Sequence, residues 1–229
     1  MGGKENVLEM RGICKSYRKN AVLTGADIVL REGECVGLVG ANGVGKSTLL
    51  KILVGGLKAD DGEIFFNGEP TDPQELSERV GYVPQEHPLF DDLTVKDNLE
   101  LWYRGDKAKL AEDLKQGILN KFGIGNFYKK RVSKLSGGMK KRLSICCALA
   151  SDPDVLVLDE PGAALDLSAK QLILNLIREF TNRGKSVIIT SHELPELTLC
   201  DRLYGIKDGV ATQLEEKIDS FYLQQWMEN

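Results

Sequence analysis

The stretch that decides the fold is Gly40-Ala41-Asn42-Gly43-Val44-Gly45-Lys46-Ser47-Thr48. It fits the pattern G-x-x-x-x-G-K-[ST], in which closely spaced glycines let backbone N–H groups surround a chain of phosphates without Cβ clashes. The apolar segment 35–39 before the loop predicts a strand, and the apolar residues between the loop and Gly55-Gly56 have helical spacing. A strand, a glycine-rich loop and a helix in this order predict a phosphate-binding site.

The residue types in this loop indicate how it would hold a nucleotide. We expect Lys46 to meet the β- and γ-phosphates and Ser47 to offer a hydroxyl to Mg²⁺. The N-terminus of the following helix adds its partial positive charge to the same site. The flanking strand and helix count against the alternative of a glycine-rich turn with an exposed lysine. The predicted nucleotide ligands in the loop are Gly40, Asn42, Gly43, Gly45, Lys46, Ser47 and Thr48.

A second apolar segment, 155–158, ends at the acid pair Asp159-Glu160. Ligands of parallel α/β sheets bind at the carboxyl ends of the strands, where these acids would lie. We expect Asp159 to hold Mg²⁺ and Glu160 to orient or deprotonate the attacking water, because phosphoryl transfer depends on an in-line nucleophile. Without the phosphate loop upstream, the same pair would be interpreted as a solvated strand end.

Three further features are weak when each is taken alone. Segment 135–139 opens a helix, so the Ser136 hydroxyl and nearby N–H groups can bind an anion, although an ordinary capped turn looks the same. His192 follows the apolar segment 187–190 and can place an imidazole against the γ-phosphate, although a lone histidine there is usually structural. Gln85 lies where the β-rich part gives way to the helical part, and it can reach Mg²⁺ or water. Its alternative is a plain surface glutamine.

The remaining pattern places a β-rich part first and a helical part in the middle. Strands are predicted at 7–17, 22–30 and 63–66, and the pairs Asp61-Gly62 and Asn67-Gly68 around the last one predict tight hairpin turns. Helical segments are predicted at 95–103, 107–122 and 139–150. Strands and helices then alternate, at 155–158, 169–181 and 187–190, before a hairpin at Asp208-Gly209 and a final short helix. This alternation predicts an α/β fold with a parallel sheet covered on both faces.

Composition excludes several classes of protein. With 229 residues, 42% hydrophobic and 28% charged, the chain fits one globular folding unit. Its apolar runs fall far short of the ~18 residues that a membrane-spanning helix needs, and no secretory signal is evident, so we expect a cytoplasmic protein. A net charge of −4 argues against nucleic-acid binding. The five cysteines include no C-x-x-C pair, so we expect them reduced and packed.

The order of these pieces resembles the ATP-binding-cassette ATPases, the motor subunits of ABC transporters, over residues 7–209. The resemblance implies a P-loop NTPase (RecA-like) core with an N-terminal antiparallel β-subdomain, at 1–84 and 151–229, and an inserted α-helical subdomain at 85–150. It also assigns the A-loop aromatic that stacks on adenine, the Q-loop, the signature, the Walker B acids, the D-loop and the switch histidine. These are Tyr17, Gln85, Ser136-Gly137-Gly138, Asp159-Glu160, Ala164-Leu165-Asp166 and His192, in that order.

The resemblance further implies a mechanism and partners. Such ATPases work as head-to-tail dimers in which the signature of one subunit closes over the Mg²⁺-bound ATP of the other. Hydrolysis to ADP and phosphate then opens the interface and drives a separate membrane permease, here expected to contact a groove near Gln85 and residues 91–103. The second ATPase subunit would be an identical or a related chain. The chain would therefore lie at the inner face of the membrane without inserting into it.

Two departures from the family pattern occur, and neither removes a catalytic group. Met139 stands where the family usually has glutamine, and Gly162-Ala163-Ala164 replaces the usual residues before Leu165-Asp166. The signature run resembles ABC-2 type exporters, which favours export. A soluble cassette ATPase acting on a cluster-assembly or ribosome-associated partner remains the alternative. A P-loop kinase or GTPase would leave Ser136 and His192 without a role.

Overall fold

Two β-sheets carry the fold in a computed structural model that describes residues 5–86, 88–163 and 165–214. In chain order the strands are β1 Asn6–Tyr17, β2 Asn20–Arg31, β3 Cys35–Val39, β4 Asp61–Phe66, β5 Glu69–Pro70, β6 Val80–Val83, β7 Val155–Asp159, β8 Ser186–Thr190, β9 Arg202–Lys207 and β10 Val210–Gln213. The helices are α1 Lys46–Leu53, α2 Pro73–Arg79, α3 Val95–Trp102, α4 Lys107–Lys115, α5 Ile118–Lys121, α6 Gly137–Leu149, α7 Leu167–Asn182 and α8 Leu194–Leu197, with 3-10 turns at Ile124–Phe127 and Val132–Lys134. The predicted α/β fold is confirmed.

The larger sheet has the strand order β10-β9-β3-β8-β7-β6, and only β10 pairs antiparallel. Every residue of β3, β7 and β8 is buried, which explains their continuous apolar sequences, because helices cover both faces of such a sheet. Thr190 pairs with Leu38 on one side and with Asp159 on the other. The last residues of the three central strands therefore lie side by side at one edge.

The smaller sheet is antiparallel, in the order β2-β1-β4-β5, and it forms the predicted N-terminal β-region. The turn at Asn67-Gly68 has positive φ at both residues, as a type I′ hairpin requires. The second predicted turn is wrong, because Asp61 and Gly62 belong to β4. Gly62 is needed there for close approach, since a Cβ on it would lie 2.6 Å from the Gly12 carbonyl oxygen.

The helical part follows β6, and two of its three predicted helices are confirmed as α3 and α6. The prediction of one helix over 107–122 is wrong, because the chain breaks between α4 and α5. Gly117 is extended there, and a Cβ on it would lie 2.0 Å from the Asp113 carboxylate. The elements α2 and β6 were not predicted, although Asp72 before Pro73 is a helix-start signal and its side chain does cap α2. The predicted final short helix lies outside the described residues.

The cysteines are unpaired in the described part of the chain, and most are packed as predicted. Cys35, Cys146 and Cys147 are buried, and burial raises the pKa of the Cys146 and Cys147 thiols. Between residues 5 and 214, as far as they are described, no helix has the length and hydropathy that a membrane span requires.

A buried ion pair joins the two sheets close to the start of β3. Arg202 donates through Nε and Nη2 to the two carboxylate oxygens of Glu34, at 2.5 Å and 2.7 Å. The Nη2 atom also donates to the Val29 carbonyl oxygen of β2, at 2.7 Å. The hydrogen bond to Glu34 raises the pKa of the guanidinium. Because both side chains are largely buried, this contact fixes β2 against the strands that lead to the phosphate loop.

We expect Glu34→Ala to lower the free energy of unfolding by about 3 kcal/mol, because it leaves a buried guanidinium without its counter-charge. Chemical denaturation followed by circular dichroism measures this loss. Glu9→Ala is the matched control, since Glu9 pairs with the exposed Arg11 and its loss should change stability little. Equal losses in the two variants would show that the Glu34 contact does not hold the sheets together.

Candidate nucleotide site

The phosphate loop spans residues 40–45, between β3 and α1, and its backbone fits the predicted role. Gly43 and Gly45 have φ of 80° and 117°, a region that side chains other than glycine rarely adopt. Lys46 begins α1 and is buried, and its Nζ donates to the carbonyl oxygens of Gly40 at 2.6 Å and Ala41 at 3.1 Å. The ammonium group therefore lies over the loop, in reach of any phosphate that the loop holds.

The charge balance around Lys46 involves the two acids at the end of β7. Burial lowers the pKa of the Lys46 ammonium, and the nearby carboxylates of Glu160 and Asp159 oppose that effect. Asp159 is itself buried, and a buried carboxylate needs hydrogen bonds and a compensating charge. The Thr190 hydroxyl donates to Asp159 Oδ1 at 2.6 Å, and the Tyr82 hydroxyl lies 3.4 Å from Asp159 Oδ2. The carboxylate is thus held in one orientation.

Glu160 turns the chain out of the sheet with a left-handed backbone, φ 46°. Its N–H donates to both the hydroxyl oxygen and the carbonyl oxygen of Thr190, at 3.0 Å and 3.1 Å. Its carboxylate meets two predicted site residues, since Gln85 Nε2 lies 3.2 Å from Oε2 and His192 Nε2 lies 3.4 Å from Oε1. The carboxylate therefore lies between the glutamine and the histidine.

Lys46, Gln85, Glu160 and His192 line one cavity of about 350 Å³ together with residues of the phosphate loop. The structure brings together most of the residues predicted from the sequence: Asn42, Gly43, Gly45, Lys46, Ser47, Thr48, Gln85, Glu160 and His192. The loop N–H groups and the Lys46 ammonium suit a chain of phosphates. Hydroxyl, amide and carboxylate oxygens suit Mg²⁺, and Ser47, Gln85 and Asp159 carry such oxygens around this cavity and the groove beside it. The residues around the cavity therefore fit both a chain of phosphates and a Mg²⁺ ion.

Other predicted site residues lie outside the described lining of this cavity. Ser136 is the exposed N-cap of α6, where its hydroxyl oxygen accepts from the Met139 N–H at 3.3 Å, and Gly137 and Gly138 form the first turn. Asp166 is the exposed N-cap of α7. Its hydrogen bond to Ser168 lowers the pKa of the carboxyl. Tyr17 ends β1 and is about half exposed, and Ala164 is outside the described residues. Gly40 contacts Lys46 through its carbonyl oxygen, and Asp159 lines the neighbouring groove.

Sequence reasoning missed Thr190 and Tyr82, the two hydroxyls that contact Asp159. The signal for Thr190 was its place at the end of an apolar segment that precedes His192. Its role depends on the pairing of β8 with β7, because the hydroxyl contacts a residue 31 positions away in the sequence. Tyr82 belongs to β6, a strand that was not predicted.

The fold and the phosphate loop together define a P-loop nucleoside triphosphatase. Comparison with known proteins narrows this class. The family model described as ABC transporter matches residues 23–163. A second model, described as AAA domain, putative AbiEii toxin, Type IV TA system, matches the shorter stretch 129–199.

Individual relatives agree with the longer match. The chain is 41% identical over 207 residues to the Nod factor export ATP-binding protein I of Burkholderia orbicola (strain AU 1054), covering 88% of this chain and 68% of that protein. It is 39% identical over 212 residues to an uncharacterized ABC transporter ATP-binding protein of Rhizobium meliloti (strain 1021), covering 90% and 78%.

Solved structures give the same result. The ATP-binding subunit of an ABC transporter has a TM-score of 0.83 at 26% identity, covering 91% of this chain and 89% of that one. An ATP-binding cassette, solved as a dimer in a post-hydrolysis state with ADP and Pi, has a TM-score of 0.81 at 25% identity, covering 92% and 100%. The chain therefore belongs to the ABC transporter family, as an ATP-binding subunit that hydrolyses ATP.

We expect Thr190→Val to lower the ATPase rate by about 10- to 100-fold, because the Thr190 hydroxyl orients Asp159, the expected Mg²⁺ ligand, and loss of such an outer partner has effects of this size. The valine keeps the shape of threonine but removes the hydroxyl between Asp159 and Glu160. Phosphate release measures the rate, and binding of a fluorescent ATP analogue checks that the phosphate loop is intact. Thr190→Ser keeps the hydroxyl and should stay near the wild-type rate. A Thr190→Val protein as active as wild type would contradict this role.

Proposed function

We propose that this chain is one half of a head-to-tail ATPase dimer that powers a separate membrane permease, in the direction of export. Mg²⁺-ATP held at the phosphate loop of one chain is closed over by the Ser136 end of α6 from the second chain. The observation that carries the proposal is the separation of Ser136 from the cavity of its own chain, together with its exposure. An anion-binding helix end placed there has a role only toward another molecule.

The proposal gives each residue of the cavity a task. Lys46 and the loop N–H groups bind the phosphates, and Ser47, Asp159 and Gln85 hold Mg²⁺, which neutralises charge on the phosphates during hydrolysis. Glu160 orients or deprotonates the water, and His192 contacts the γ-phosphate. The position of the Glu160 carboxylate between Gln85 and His192 supports this division of labour. Tyr17 stacks on adenine from the exposed end of β1.

The dimer is supported by the construction of α6. Ser136 caps this helix of 13 residues, and the first turn begins with the exposed Gly137 and the half-buried Gly138, whose lack of side chains lets a phosphate approach. The solved dimer with ADP and Pi is a structural neighbour of this chain. Asp166 joins the interface through the exposed turn that begins α7.

The permease contact is supported by a groove of about 770 Å³ beside the nucleotide cavity. Its lining includes Trp102 and Arg104, and it also includes Ser47, Gln85 and Asp159. Phe90 and Leu101, elsewhere in the helical part, expose more than half of their surfaces. A permease segment in this groove would touch the residues assigned to Mg²⁺, and it would hold the chain at the membrane. The direction of export is supported by the Burkholderia orbicola relative, which is named for Nod factor export.

The experiment that tests the dimer is light scattering of Glu160→Gln protein with ATP, with and without Mg²⁺. We expect dimers to form with ATP and to persist with Mg²⁺-ATP, because the bound γ-phosphate is no longer removed. The wild type should release phosphate with Mg²⁺-ATP and lose that activity in EDTA. ATPase activity without any dimer would contradict the proposal and would withdraw the roles of Ser136, Gly138 and His192.

A matched pair of variants locates the interface. In the Glu160→Gln protein, Ser136→Arg should abolish the dimer while ATP still binds, because a long side chain then blocks the helix end. Ser133→Arg places the same side chain at an exposed position three residues earlier and should leave the dimer intact.

We expect Trp102→Glu to release the chain from the membrane fraction of cells, since a charge in the groove opposes an apolar partner. The ATPase rate of the purified variant should stay within about twofold of wild type, because surface changes of this kind rarely alter the fold. Val210→Glu is the control, as Val210 is equally exposed on β10. Sedimentation after cell lysis measures both. Release by Val210→Glu as well, or by neither variant, would place the permease contact elsewhere.

A further inference from the structure

Lys141 is a buried cation in α6 that the proposed reaction does not use. Its side chain is 3% exposed, and its Nζ lies 3.2 Å from the carbonyl oxygen of Pro84. Burial lowers the pKa of the ammonium, while the carboxylates of Asp159, Glu196 and Glu160 favour its charged form. A lysine is seldom this deeply buried without a specific partner, and the carbonyl oxygen of Pro84 is such a partner for Lys141.

The partner of Lys141 lies next to a residue of the nucleotide site. Pro84 follows β6 directly and precedes Gln85. The side chain of Gln85 reaches Glu160, with 3.2 Å between Nε2 and Oε2. A displacement of the Pro84 carbonyl therefore moves the backbone from which Gln85 reaches the catalytic carboxylate.

Lys141 also lies close to the end of α6 that faces a second chain in the proposed dimer. Lys141 lies five residues after Ser136, which is about 7.5 Å along a helix. The following residues Leu143, Ile145 and Cys146 are buried in one core cluster with Val83 of β6, so α6 packs against the strand that leads to Pro84 and Gln85. The neighbouring Lys140 differs, because it pairs with the exposed Asp91 at 2.8 Å.

We propose that Lys141 is a positioning residue that ties α6 to the backbone carrying Gln85. This inference rests on the proposed dimer. When the helix end at Ser136 meets the nucleotide of the second chain, α6 shifts, and Lys141 transmits the shift through the Pro84 carbonyl to Gln85. Closure at one nucleotide site then adjusts the contact between Gln85 and Glu160 at the other.

The first test compares Lys141→Met with Lys140→Met in steady-state ATP hydrolysis. Lys141→Met fills the same volume without a donor, so kcat should fall about tenfold while KM for ATP stays within about twofold, as for a lost coupling of ordinary size. Lys140→Met should leave both constants near wild type. Lys141→Arg restores a donor for the Pro84 carbonyl and should recover most of kcat, which a merely volume-filling residue would not require.

The second test is hydrogen–deuterium exchange with Mg²⁺ and a non-hydrolysable ATP analogue. In the wild type, nucleotide should protect the amides of residues 40–48 and also those of Gln85 and Glu86. In Lys141→Met, protection at 40–48 should remain while protection at Gln85 and Glu86 is lost. Should Lys141→Met fail to fold, Lys141→Gln keeps a shorter donor and should show the same pattern with a smaller fall in kcat.

The outcomes separate this inference from the proposed dimer. Wild-type kcat and wild-type protection at Gln85 in the Lys141 variants would overturn the role of Lys141 and leave the dimer standing. If kcat falls only together with thermal stability, and Lys141→Arg does not restore it, then Lys141 is a structural residue and the proposed positioning role is wrong. If the Glu160→Gln protein, which keeps its native Lys141, forms no dimer with ATP, then the proposed dimer itself is wrong.

Discussion

The side-by-side pairing of β3, β8 and β7 governs where each group of the nucleotide site lies. Because these strands are parallel and in register, the phosphate loop after Val39, the acids after Leu158 and the histidine after Ser191 leave the sheet at one edge. A shift of one residue in any strand would turn its last side chain to the opposite face. The apolar sequences that bury all three strands are thus also what aligns the chemistry.

Thr190 shows how closely that alignment is used. Its hydroxyl donates to Asp159, and its hydroxyl and carbonyl oxygens both accept from the Glu160 N–H. The second contact offsets the left-handed backbone of Glu160, a conformation that costs about 1–2 kcal/mol outside glycine. Strain of this kind persists only where neighbouring contacts hold it. The central strand therefore sets the direction of both acids, although it supplies neither.

The difference between what could and could not be predicted from the sequence follows from the range of the interactions. The phosphate loop was predictable because three closely spaced glycines and one lysine define it within a few consecutive positions, where the demands on the backbone are local. Thr190 and Lys141 were not, because each serves a residue far away in the chain and is unremarkable beside its own neighbours. The predictions of an unbroken helix at Gly117 and of a turn at Gly62 were wrong for a different reason. In both, the glycine makes room for another atom and does not mark a turn.

The two cavities share residues, and this limits how the subunit can work. Ser47 and Gln85 line the nucleotide cavity and also the larger groove, so an occupant of either changes the surroundings of the other. If a permease segment in the groove binds better when ATP is held, then ATP binds better by the same factor when the segment is present. A contact that only anchored the chain would need no such sharing, and the exposed Trp102 side of the groove would suffice. In the proposed complex, the shared residues Ser47 and Gln85 therefore favour a groove that reports the state of the nucleotide to the permease.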